Sequence, residues 1–309
     1  MTGERGNVTA DQENRVTRRR LLRSGLGAAA VVAASPLLAA CGSNDDNGSG
    51  LGAAGGETLE RLRSQGAKLG LSAGLPTSGV EDGKAVGIFP EIAELVLRRL
   101  GVDEFIPVLT SFDGIIPGLQ VGRVDLALPG LYITAERCKS ILFSHPLIRY
   151  ADALAVPKGN PDDIETFQDV VDSDLKVAAI AGSTGAEFLK QQGIPEGRQV
   201  IFPDLPSILE GMKAGRVDVT GSDAIALGYL VGHQYEEDLE LIPLDTGVFS
   251  SGVGFAKDAT DLQTAFNEEL RRAQADDALA PVYEKWNVPK DSIEGVEKLT
   301  QEEECRKAV

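Results

Sequence analysis

An eleven-residue segment occurs twice in this chain, ninety-three positions apart. Ile115–Asp125 (IIPGLQVGRVD) aligns without a gap on Ile208–Asp218 (ILEGMKAGRVD). Ile115/Ile208, Gly118/Gly211, Gly122/Gly215, Arg123/Arg216, Val124/Val217 and Asp125/Asp218 are identical. Each copy reads as the end of an amphipathic helix, a Gly-Arg turn and a short apolar strand. Two copies this far apart predict two similar lobes, since a solenoid needs three or more short repeats. The continuations differ. The first runs into Gly130-Leu131-Tyr132-Ile133-Thr134 and Arg137, a cation with backbone donors; the second runs into Ser222-Asp223, a carboxylate. A cleft between two such lobes suits a zwitterion.

Residues 1–40 read as an export leader and are set aside before any argument about fold. Thr17-Arg18-Arg19-Arg20-Leu21-Leu22-Arg23 is a twin-arginine pattern, and Leu26–Ala40 is an apolar, Ala-rich run too short for a membrane span. Leu38-Ala39-Ala40-Cys41-Gly42 resembles a bacterial lipoprotein box, in which the cysteine is acylated and becomes the mature N-terminus. Two or more acyl chains suffice for stable anchoring. The competing reading is an ordinary cleaved leader with a chance cysteine. Residues 41–56 are then the lipidated cysteine and a polar, Gly-rich tether with nothing to bury. The expected location is the outer face of the cell membrane.

Removing residues 1–40 takes away six of 30 basic and three of 47 acidic side chains, leaving a formal charge of −20. Such a surface excludes nucleic acid, whose phosphates need a basic footprint. Besides Cys41 the chain has Cys138 and Cys305, with neither a CxxC pair nor a neighbouring histidine, so no metal or redox motif emerges. Outside the cytosol two such cysteines read as a disulfide stapling the C-terminal tail beside Arg137; two buried thiols are the alternative. No cofactor motif is present. His145 and His233 are lone histidines without metal-ligand spacing, and Trp286 reads as packing.

Strand and helix patterns alternate throughout the remainder, the mark of an α/β protein. Strands are expected at 67–73, 104–109, 141–143, 149–156, 176–180, 199–202, 217–220, 239–242 and 247–256. Helices are expected at 90–100, 112–121, 164–171, from 186, over the second repeat, and at 224–231, 262–275 and 279–286. The Pro/Gly-rich corner Pro157-Lys158-Gly159-Asn160-Pro161 is where the chain is expected to cross to the second lobe. The resulting division is 57–157 for lobe 1, 158–247 for lobe 2, and 248–309 for the return to lobe 1 and the tail. Two crossings make a hinge, and hinge closure is a standard way to wrap a small ligand.

The chain resembles the extracellular solute-binding proteins of ABC transporters, in the amino-acid branch (family 3). The resemblance rests on GIFPEIA at 87–93, IIPGLQVGRVDLAL, ITAER ending in Arg137, Ala181-Gly182-Ser183-Thr184-Gly185 and AGRVDVTGSDA, and it spans nearly all of 57–309. Ectoine and hydroxyectoine binders share IPGLQ-x-GR-x-D, the Arg137-Cys138 pair, Tyr-Ala-Asp-Ala followed by KGNP, and a near-terminal cysteine like Cys305. The resemblance implies a two-lobe periplasmic-binding-protein fold of type II, each lobe a mixed sheet flanked by helices. It also implies a monomer that captures a small zwitterion, ectoine-type or an amino acid, and delivers it to an ABC permease and its ATPase.

Within the family the arginine matching Arg137 grips the ligand carboxylate, because its planar fork pairs both oxygens at once. Backbone N–H groups matching Gly130 and Tyr132, with the Thr184 hydroxyl, complete that nest. The aspartate matching Asp223 neutralises an amino-acid ammonium, and aromatics matching Phe112 and Tyr132 flank the ligand. The chain departs from the ectoine pattern at Gly74 and Gly185, where those binders carry acids, and at Thr77, where they carry an aromatic. Each residue also has a structural reading. Asp223 caps a helix at Ala224, Thr184 with Glu187 spells a capping box, and Phe112 belongs to the core. No catalytic triad, HExxH or phosphate loop appears, so the expectation is a binding protein. A ligand sensor and a dehydratase- or lyase-like enzyme on the same fold are the alternatives.

Overall fold

The computed structural model describes residues 57–307; the leader, Cys41 and the tether lie outside the described residues. Helix α1 (Glu57–Gln65) leads into β1 (Ala67–Leu71), and a small hairpin of β2 (Gly79–Glu81) and β3 (Lys84–Val86) precedes α2 (Ile88–Arg99) and β4 (Phe105–Leu109). Then come α3 (Ile115–Gln120), β5 (Leu126–Ala127), α4 (Ala135–Ser140), β6 (Leu142–Phe143) and β7 (Ile148–Pro157). The middle of the chain supplies α5 (Phe167–Asp172), β8 (Val177–Ile180), α6 (Thr184–Gln191), β9 (Gln199–Phe202), α7 (Leu205–Lys213), β10 (Val219–Asp223) and α8 (Ala224–Leu230). The chain closes with β11 (Leu239–Ser251), β12 (Gly254–Phe255), α9 (Thr260–Ala275), α10 (Ala280–Lys285), α11 (Lys290–Ile293) and α12 (Gln301–Glu304).

Two five-stranded mixed sheets result, ordered β4-β1-β5-β12-β6 and β11-β7-β10-β8-β9. In the first, β4, β1 and β5 are parallel and β12 runs against β5 and β6. In the second, β9, β8 and β10 are parallel and β7 runs against both β10 and β11. The parallel strands thus repeat one order, the earliest strand in the middle. The duplicated segment is the same helix-to-third-strand connection each time, α3 into β5 and α7 into β10.

The identities between the copies are explained by backbone closure. Gly122 and Gly215 sit at φ +68° and +65°, left-handed values that glycine adopts without a Cβ penalty. The next amides, of Arg123 and Arg216, donate back to the carbonyls of Gly118 and Gly211, each at 2.9 Å. Val124 and Val217 are buried beneath their helices. Asp125 accepts from the Lys68 amide at 2.8 Å and Asp218 from the Lys176 amide at 2.7 Å, so each copy latches onto the start of its lobe's first strand. The repeat is scaffold, closed by bonds made within each lobe.

Apolar side chains cover both faces of each sheet. Leu59, Leu62, Phe89, Ile92, Phe255 and Phe266 anchor one layer of the first, and Ile115, Leu119, Val124 and Phe143 the other. Ile208, Leu209, Leu227 and Leu230 lie on one side of the second, with Val170, Ala186 and Leu189 on the other. Two segments differ from expectation. Residues 239–242 and 247–251 belong to one strand, because β7 pairs with both ends of β11 across a register shift between Pro243 and Val248, while 254–255 form the separate β12. β7 already pairs with the second sheet from Ile148, ahead of the Pro157–Pro161 corner. Helix α1 and the β2–β3 hairpin carry too few apolar positions to stand out in the sequence.

Candidate functional site

With the earliest strand central in each sheet, the loops leaving the carboxyl ends of β1, β5, β8 and β10 meet where the strand order reverses, the place where open α/β sheets bind ligands. The loop after β5 supplies Gly130 and Tyr132 and feeds α4, whose N-cap Thr134 accepts from the Arg137 amide at 3.2 Å. This cap fixes the helix start and aims Arg137. Its Nη1 donates to the Tyr132 carbonyl at 3.2 Å, and its Nη2 reaches across to the Gly182 carbonyl at 3.3 Å. The guanidinium carbon stands 5.7 Å from the Phe112 ring centroid.

Both hydrogen-bond partners of the Arg137 guanidinium are carbonyls, and among the described residues it makes no ion pair. Burial pulls its pKa down to about 10, opposed by longer-range attraction from Glu187 on α6. A half-buried guanidinium without a carboxylate pays part of its desolvation cost uncompensated, and an anionic ligand would satisfy it. On the other lobe Asp223 ends β10 and caps α8, accepting from the Ala226 amide at 2.7 Å. It keeps a little water contact, yet burial pushes its carboxyl up to about 6, with Asp152 adding repulsion and the helix amides pulling the other way.

The other predicted residues gather around this pair. Gly130 adopts φ +78°, and a Cβ there would touch Phe89 and Thr77 at 3.4 Å, so its conformation and surroundings both favour glycine. Neither the Gly130 nor the Tyr132 amide finds an acceptor among the described residues. Phe112 opens the 3-10 turn before α3 and is half-buried beside Arg137. Thr184 is the first residue of α6, but the cap is Ser183, whose hydroxyl accepts from the Ala186 amide at 3.1 Å. The Thr184/Glu187 capping box is therefore corrected. Ser183 has the extended backbone a cap requires, which places Thr184 inside the first turn. Gly74 and Thr77 form the tight turn after β1, Thr77 Oγ1 donating to the Gly74 carbonyl at 2.5 Å, and Thr77 packs against the Gly130 position.

Tyr132 differs from expectation in detail. Its ring stacks on Phe249 of β11 at 5.1 Å and lies 5.7 Å from Tyr150 of β7. Its hydroxyl donates to Asp152 Oδ1 at 2.7 Å. Neither Asp152 nor Phe249 is among the residues expected from sequence. A lone carboxylate inside the apolar run RYADALAV is the signal for the first, because an acid in a buried strand needs a partner; nothing local marks Phe249. Gly182 reads in the sequence only as part of a turn, yet at φ +70° its Cβ would fall 2.8 Å from Asp113 Cβ of the other lobe. Cys138, next to Arg137, is joined to Cys305 as a disulfide with Cα atoms 5.9 Å apart. Trp286 packs against the first core and donates to Glu91 at 3.1 Å. His145 faces Arg271 and the α12 segment, and His233 stacks on Tyr229.

Comparison with known proteins gives a consistent result. The family model of bacterial extracellular solute-binding proteins, family 3, matches residues 68–289. The probable amino-acid ABC transporter periplasmic-binding protein y4tE of Sinorhizobium fredii (strain NBRC 101917 / NGR234) is 26% identical over 266 residues, 82% of this chain and 87% of that one. The crystal structure of EhuB in complex with hydroxyectoine superposes with a TM-score of 0.74 at 30% identity, covering 80% of this chain and 97% of that one. The ancestral amino acid-binding protein AncCDT-1, a precursor of cyclohexadienyl dehydratase, gives 0.65 at 28% identity over 74% and 99% of the two chains.

Proposed function

The chain belongs to the bacterial extracellular solute-binding proteins, family 3, and on that premise we propose that it captures a small ligand bearing a carboxylate and a cation between its lobes for an ABC permease and its ATPase. One observation carries the reading: a half-buried arginine without an ion-pair partner among the described residues reaches across the cleft, and a half-buried carboxylate stands on the opposite lobe. In this reading the ligand carboxylate takes Arg137, with the Gly130 and Tyr132 amides and the Thr184 hydroxyl around it. Phe112 covers one side, and Asp223 receives the cation. Ligand bridging both lobes favours the closed form through contacts available only there, and the permease reads that form.

Hydroxyectoine in EhuB and amino acids in the other relatives define the panel to test. Calorimetric titration of the purified chain, refolded to strip carried-over ligand, is expected to find one tight site. Arg137→Ala should weaken it at least about a hundredfold, the scale of losing a charge-assisted bidentate contact, while leaving the melting transition in place. Retained affinity in that variant would remove Arg137 from the site. A binding role without turnover is part of the same reading, and a ligand recovered chemically altered after long incubation would contradict it. The leader and Cys41 support export and lipid anchoring; mass spectrometry of the membrane-bound protein lacking an acylated Cys41 would end that part.

A further inference from the structure

The cation side of the cleft holds more negative charge than a simple zwitterion requires. Asp152 and Asp223 are directly paired residues on adjacent antiparallel strands, and side chains so paired project from the same face at short range. Asp152 accepts from the Tyr132 hydroxyl, and Asp223 accepts from the α8 amides. Neither forms a salt bridge among the described residues. Tyr150, two residues before Asp152 on the same face of β7, is fully buried, and its hydroxyl has no partner. Phenol and carboxylate groups thus converge with one donor–acceptor position open. Around the same cleft stand Asp113, whose backbone meets Gly182, and Glu187, which acts on Arg137. The bulged stretch of β11 passing Asp152 carries Asp245, which is exposed. Arg137 is the cation these groups surround.

A ligand with one carboxylate and one cationic group neutralises Arg137 and only one of the paired aspartates. The other then remains a half-buried charge without a counter-ion, which is unfavourable, or it takes up a proton. A ligand with one carboxylate and two cationic groups leaves neither. We propose that Asp152 is a specificity-determining residue and that the ligand carries net positive charge: a dibasic amino acid, with its carboxylate on Arg137 and its cations shared by Asp223 and Asp152. This rests on the proposed carboxylate site at Arg137. An acidic cleft also concentrates cationic ligands from solution. Burial raises the pKa of both aspartates, the Tyr132 hydrogen bond opposing the rise at Asp152. A second positive charge would hold both ionised.

Titration of the purified chain with lysine, arginine and ornithine against glutamine, ectoine and hydroxyectoine, in two buffers of different ionisation enthalpy, tests this. The basic ligands should bind at least about tenfold more tightly with little proton uptake. Asp152→Asn should weaken them about tenfold and leave the neutral-side-chain ligands unchanged or tighter. Tyr132→Phe removes the same hydrogen bond while keeping the charge, and should preserve the preference for basic ligands. Tighter binding of a neutral-side-chain ligand, or equal weakening of both classes by Asp152→Asn, overturns the charge assignment and leaves the Arg137 site standing. If no panel member binds, or binding survives Arg137→Ala, the underlying reading fails too.

Discussion

At Asp223 one side chain carries a structural task and, in the proposed site, a ligand task. Its carboxylate caps α8, and asparagine caps a helix as well as aspartate does. The folded pKa of about 6 lies above the ordinary 3.8, so between those values the folded chain holds a proton that the unfolded chain has released. The group's contribution to stability is therefore present at low pH, falls as pH rises toward 6 and is lost above it. Asp223→Asn should stabilise the ligand-free protein above pH 6, raising Tm by roughly 3–6 °C, and change little below pH ~4. The same variant should lose at least about tenfold in affinity for a cationic ligand. Thermal melts at both pH extremes check the first half; an equal shift at both would mean the aspartate is not held neutral by its surroundings. Arg137 is the complementary case. Its cap, Thr134, is readable three residues upstream, whereas its reach to Gly182 depends on the other lobe.

Elements built on local rules match the sequence closely. The second strand of the second lobe, β9, coincides with its expected range, and α7 and α9 follow apolar spacing and turn chemistry contained within their own residues. The repeat shows why. Its glycine turn, buried valine and aspartate latch are each satisfied within one lobe, so the same residues recur where the same geometry recurs. Alanine at Gly122 would meet no neighbouring atom, which isolates the backbone cost of φ +68° at about 1 kcal/mol. Gly122→Ala should therefore lower Tm by roughly 3 °C with ligand affinity unchanged. A variant melting at the wild-type temperature would show that the turn tolerates a side chain. β11 looks like two strands in the sequence because its Gly/Ser-rich middle resembles a loop, and only the ladder with β7 carries it through as one.

For the molecule as a whole, the two lobes meet by very close backbone approach. The Arg137 side chain bonds Gly182 across the cleft, and Asp113 occupies the space a side chain at Gly182 would need. Gly182→Ala should hold the lobes apart, since both its φ of +70° and the 2.8 Å contact oppose a Cβ. Small-angle scattering should then show less compaction on ligand addition than in the wild type, with affinity at least about tenfold lower. Compaction equal to the wild type would mean the lobes close without this contact. The disulfide between Cys138 and Cys305 ties the C-terminal segment to α4, the short helix that carries Arg137.

Sequence alone carries the two-lobe α/β plan, the family, and the candidacy of Arg137, Thr184 and Asp223, because periodicity, turn residues and motifs are recorded within about ten neighbouring positions. It also brought the two cysteines to notice without deciding between a bond and two thiols. Tertiary structure alone decided that Ser183 rather than Thr184 caps α6. It also decided that Tyr132 packs on Phe249 and hands its hydroxyl to Asp152, and that Asp152 stands opposite Asp223. The Asp152–Asp223 and Tyr132–Phe249 juxtapositions join residues 71 and 117 positions apart. The first depends on the register of β7 with β10 and the second on the bridge of Tyr132 to Ser251 of β11, and no local stretch of chain encodes either.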